Sequence, residues 1–184
     1  MDIKEKLERN LLSAVKETLA IVDLDPNLID KTTVTEQEGI VSTILIKGDL
    51  VGKICVYFSH ENAAKVVGKM LEMIVELKSP EAFDGIGEVT NMIIGGMKTK
   101  LHLEDVNFDI SIASSLDGVG LENIINTPRE FIYKHFICDE IEFSIVLSYR
   151  FNQKVSKEPP KEQPKISAAD LLNQLITKNS NSNS

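Results

Sequence analysis

The stretch from Asp84 to Leu101 constrains this chain more than any other, because its residues sort cleanly onto two sides of one helix. At roughly 100° per residue, Ile86, Val89, Ile93, Met97 and Leu101 form a single apolar stripe. Asp84, Glu88, Asn91, Gly95 and Lys98 fall on the opposite side. Glu88 and Asn91 stand three residues apart, so a carboxylate and a carboxamide are neighbours on that surface. Gly95 follows one turn later and costs about 1 kcal/mol of helix propensity relative to alanine. A costly glycine on an outward face predicts that another surface comes close there.

Several other elements follow from pattern. Ile3, Leu7, Leu11, Ala14, Val15 and Leu19 recur at helical spacing over 2–20, and Pro26 forbids a longer continuation. Residues 39–47 and 50–58 are β-branched runs on either side of Gly48-Asp49, which predicts a hairpin. Ser59 is placed to cap a helix carrying Ala63, Val66, Val67, Met70 and Leu71, and Ser79-Pro80 opens the 84–101 helix in the same way. Strands are expected over 107–113, 129–137 and 142–150. Together these elements predict an α+β fold, an antiparallel sheet with helices packed over it.

Beyond Phe151 the composition turns to Lys, Glu, Gln and Pro, with Pro159, Pro160 and Pro164. The expected organisation is a domain over 1–151, a linker over 152–166, and a terminal segment over 167–184. Within that segment Ser167-Ala168-Ala169-Asp170 has the layout of a capping box before Leu171, Leu172, Leu175 and Ile176. It reads either as an appendage or as a tethered peptide that docks a partner.

Composition excludes several classes of function. The net charge is −8, and the tail holds five lysines against three acids, so the acid excess lies in the body. That argues against a general nucleic-acid surface. No apolar run reaches the length of a membrane span, and the N-terminus lacks a signal-peptide layout. Two cysteines, Cys55 and Cys138, argue against a disulfide framework and fit a reduced, cytoplasmic setting. Cys138 lies beside Asp139 and Glu140, which should raise its pKa. His60, His102 and His135 are too scattered for a zinc site. Gly85-Ile86-Gly87 is no dinucleotide loop, since Thr90 occupies the third glycine position and no strand feeds into it.

The run Asp84-x3-Glu88-x2-Asn91 followed by Ile94-Gly95-Gly96-Met97-Lys98-Thr99-Lys100-Leu101 resembles the active-site helix of the CheC/CheX chemotaxis phosphatases. The resemblance extends more weakly over residues 35–150, and a single motif copy is closer to CheX than to CheC. It departs at Ser114, where the family pattern has a proline; the nearest proline here is Pro128. The resemblance implies a CheX-like α/β sandwich and a protein phosphatase, a hydrolase of the aspartyl phosphate on a CheY-type response regulator. It implies that Asn91 positions the attacking water and Glu88 pairs with a lysine of the regulator. Asp84, Gly95 and Lys98 would contribute to binding. No cofactor of its own is expected, any Mg²⁺ belonging to the regulator. A homodimer formed by sheet-edge pairing is also implied; the sequence itself only allows this, strands 39–58 having β-rich edges that would need cover.

Two further readings stand beside this one. The same helix could serve a noncatalytic module that binds a regulator. Alternatively, the domain could be an assembly component of a signalling or motility complex. Periodicity alone also permits a plain solvated face, since surface acids and amides are commonplace.

Overall fold

The computed structural model describes residues 2–29, 38–119 and 130–152. One compact unit spans Met1–Gln153. A second, Lys154–Ser184, lies outside the described residues, and with it the expected linker and the capping-box segment at 167–176.

Among the described residues ten elements follow in order: α1 (Ile3–Ala20), β1 (Asn27–Ile29), β2 (Glu38–Gly48), β3 (Leu50–Ser59), α2 (His60–Leu71), α3 (Pro80–His102), β4 (Phe108–Ile110), β5 (Ser114–Val119), β6 (Glu130–Cys138) and β7 (Ile141–Phe151). The strands form one antiparallel sheet in the order β1-β6-β7-β3-β2-β4, with β5 also paired to β2. The α+β fold read from the sequence is therefore the observed one.

Local chemistry sets the element ends. Ser59 Oγ accepts from Asn62 N at 3.2 Å and Ser79 Oγ from Ala82 N at 3.3 Å, satisfying N–H groups that a helix start leaves unpaired. Pro80 opens α3, where its missing N–H costs nothing. Helix α1 stops well before Pro26, as the chain turns through Asp23 at φ 55°. In the β2–β3 turn Gly48 has φ +151°, and a Cβ there would stand 2.6 Å from Asn107 O. Only glycine suits that position.

The sheet has two unlike faces, as alternation requires. Ile40, Ile44 and Ile46 of β2 join the main core beneath the helices, together with Leu7, Leu11 and Val15 of α1 and Ile86, Val89, Ile93 and Met97 of α3. Phe58, Phe143 and Phe136 stack across three strands, with centroids 4.9 and 4.8 Å apart. On the other face Val41, Cys55, Tyr57 and Val146 make a smaller cluster. Beside it, His135 Nδ1 lies 2.7 Å from Ser144 Oγ and His135 Nε2 lies 3.0 Å from Glu142 Oε2.

The edges of 39–58 receive the cover they need: β7, returning from the far end of the chain, lies beside β3, while β4 and β5 lie beside β2. One expectation needs correction: the strand read over 107–113 is only β4, and the chain leaves the ladder at Ser111–Ala113 before β5 begins at Ser114. Strand β1, whose three residues are all exposed, carries no alternation to betray it and pairs only with β6.

Candidate functional site

Helix α3 lies with its apolar stripe fully buried: Ile86, Ile93, Met97 and Leu101 are inaccessible to solvent. The opposite side faces out as the spacing predicts. Asp84 and Glu88 are exposed; Asn91, Gly95 and Lys98 are half-buried. Four of the five predicted residues thus lie along one strip, each a turn or less from the next. Lys98, the fifth, turns toward Asp109, 3.4 Å away. At that exposure the pair contributes at most about 1 kcal/mol.

A second element borders the strip. Strand β5 runs beside α3, so that a Cβ on Gly87 would stand 3.2 Å from Ser115 Oγ. Just before β5, the N–H of Ala113 donates to Asn91 Oδ1 at 3.2 Å. Farther along, Asp117 Oδ1 is 3.0 Å from His60 Nε2, and Asp117 Oδ2 is 3.3 Å from Lys78 Nζ. Lys78 also reaches Glu38, at 3.4 Å. The hydrogen bond to Asp117, then the Asp117 charge, holds the Lys78 ammonium pKa above its ordinary value. These contacts tie β5 to the starts of α2, α3 and β2.

The sequence did not mark Ala113 as a neighbour of Asn91. Ile112, beside it in the chain, is 87 % exposed, while Leu116 pairs with Val41 and lies on the sheet face opposite the helices. The only sequence signal was an isoleucine stranded between Ser111 and Ala113. Ala113 acts through its backbone and leaves no signal in residue type.

Neither of two surface hollows lined by described residues includes Asp84, Glu88, Asn91 or Gly95. An open groove between α2 and the β6–β7 turn, lined by Ala64, Gly68, Met73, Ile74 and Ile141, includes none of the five residues. A shallow cleft beside β4 includes Lys98 alone. Among the described residues, no group of three or more His, Cys, Asp or Glu side chains is placed to hold a metal ion. No described helix is long and apolar enough to cross a membrane. Cys138 is a buried free thiol whose pKa is pushed up to about 11, first by burial and then by Asp139.

Glu88 and Asn91 stand as an acid–amide pair on the outward side of α3. Such a pair can enter a cleft that another macromolecule provides. There the carboxamide offers an acceptor and two donors, and the carboxylate offers acceptors only.

Residues 40–130 match the family model described as chemotaxis phosphatase CheX. Similar solved structures include the chemotaxis protein CheX from Vibrio vulnificus, at 18 % identity and TM-score 0.69, covering 82 % of this chain and 100 % of that one. The chemotaxis protein CheX from Desulfovibrio desulfuricans matches at 21 % identity and TM-score 0.64, covering 78 % and 99 %. The CheX-CheY-BeF3-Mg+2 complex from Borrelia burgdorferi matches at 21 % and 0.61, covering 81 % and 98 %. At these identities the likenesses establish the fold. No curated protein matches.

Proposed function

We propose that this chain, which belongs to the CheX family through residues 40–130, hydrolyses the aspartyl phosphate of a CheY-type response regulator. The observation that carries the proposal is the Glu88–Asn91 pair on the outward side of α3, Glu88 exposed and Asn91 half-buried with its carbonyl oxygen held by Ala113 N–H. Such a pair can be inserted into a cleft on a partner, and the phosphorylated site of a regulator is one.

The chemistry asks little of the phosphatase. Water attacks phosphorus, the aspartyl carboxylate leaves with the electron pair of the breaking O–P bond, and inorganic phosphate is released. The transition state is loose, so positioning of water and stabilisation of charge dominate. Asn91 enters the regulator's site and accepts from the attacking water, holding it in line. Glu88 pairs with a lysine of the regulator and fixes the docked orientation. Asp84, Gly95 and Lys98 shape the rest of the contact, Gly95 by leaving room for the partner's surface. The Mg²⁺ that neutralises phosphoryl charge is the regulator's. The setting is the cytoplasm, and a homodimer would draw on β1 or the β4–β5 edge, since β2 and β3 are already paired on both sides.

Ser114, standing where the family pattern has proline, favours a second reading: a module that binds the phosphorylated regulator without turnover. Substoichiometric addition to a phosphorylated regulator separates the two. Many turnovers per molecule support the phosphatase; binding with unchanged decay supports the module.

A further inference from the structure

We infer that the backbone amide of Ala113 is a positioning group for Asn91, fixing which end of the carboxamide meets the partner. The inference rests on the phosphatase reading for its consequence and on geometry for its substance.

The hydrogen bond has one possible direction. A backbone N–H can only donate, so the atom 3.2 Å from it must be the carbonyl oxygen of Asn91 and never its NH2. An isolated surface asparagine flips freely between its two orientations; here one is selected. The carboxamide is planar, so engaging Oδ1 with the loop turns Nδ2 away from it. Oδ1 keeps a second lone pair for a water, and the NH2 keeps both donors.

The amide is available because the sheet is interrupted there. β4 pairs with Ile46–Gly48 of β2, and β5 pairs with Glu38–Thr43 along the same edge. Between them Ser111 N donates to Leu45 O at 3.0 Å, and Ser111 Oγ takes the place of a backbone acceptor for Leu45 N, also at 3.0 Å. The chain then leaves the ladder, and the next-but-one amide, Ala113, points at α3. Breaks of this kind redirect groups toward sites. The loop is held in place downstream, where Ser115 Oγ lies 3.2 Å from Ser42 Oγ and Ser114 pairs with Thr43.

Two measurements test the inference. The first uses the full chain and a phosphorylated CheY-type regulator. Ala113→Pro removes the N–H and should lower kcat roughly tenfold to a hundredfold at unchanged KM, the scale of a small misplacement of a positioned group. Ala113→Gly, which keeps the donor, should restore kcat to within about threefold of wild type. A folded Ala113→Pro protein with wild-type kcat overturns the inference, as does a loss carried wholly by KM. The second needs no activity and holds if the proline variant fails to fold. In Asn91→Ala the amide proton of Ala113 should shift upfield and exchange at least about tenfold faster than in wild type, as expected of an amide losing its acceptor. Unchanged shift and exchange overturn the inference. If no regulator is dephosphorylated yet the amide responds, the phosphatase reading fails and the positioning contact stands.

Discussion

A Cβ on Gly85 would stand 2.5 Å from both Cγ atoms of Val67, so α2 and α3 meet where only glycine leaves room. Ten residues along the same helix, a Cβ on Gly95 would meet nothing within 4 Å. Gly85 serves the fold. Among the described residues, nothing packs where a Gly95 side chain would stand.

Gly85→Ala should therefore destabilise the domain by about 1–3 kcal/mol, the usual cost of overpacking a closed contact. A urea titration that finds an unchanged midpoint would show that α2 yields easily at Val67.

Gly95→Ala should do the opposite. With open space around it and a helical backbone, alanine should add roughly 1 kcal/mol of stability. If a regulator packs against this face, the same variant should bind it more weakly. A raised urea midpoint together with a raised KM is the expected pair of results. A raised midpoint with unchanged KM would remove Gly95 from the binding surface.

The apolar stripes, the two serine caps and the β2–β3 hairpin were legible because each is a local device repeated at a fixed period. Strand β5 was not. Ser-Ser-Leu-Asp-Gly has little intrinsic strand preference, and pairing to β2 supplies the order. What covers 39–58 was not legible for a related reason: β7 is distant in sequence, and no local pattern says where it pairs. Within the site, side chains such as Glu88 and Asn91 could be read from spacing. The Ala113 amide could not, since every residue but proline carries one.

Glu88→Gln removes charge while keeping shape. If Glu88 pairs with a lysine of the regulator, KM should rise about tenfold, or about 1.4 kcal/mol, with kcat little changed. The salt dependence of KM should also weaken, because one screened attraction is gone. Equal losses in kcat and kcat/KM would instead place Glu88 in the chemistry.

Cys138 should be inert in the native protein. Burial and Asp139 hold its pKa near about 11 against 9.0 for a free thiol, and burial also raises that of Cys55. Because the folded-state value is the higher one, the contribution of Cys138 to stability is fully present below 9.0 and is lost as pH rises through about 11. The urea midpoint should fall over that window, and less so in Cys138→Ser. Rapid labelling of the native protein by a thiol reagent near about pH 8 would contradict the assignment.

The most direct measurement of the central claim is the decay of acyl phosphate on purified CheY-type regulators, with catalytic amounts of this protein or of Asn91→Ala. The account predicts that wild type accelerates decay over many turnovers. It also predicts that Asn91→Ala, folded and still able to bind, lowers kcat by about a hundredfold or more, the scale expected for loss of a water-positioning group. Wild-type turnover by Asn91→Ala would contradict it, because the water would then be held by something other than this carboxamide.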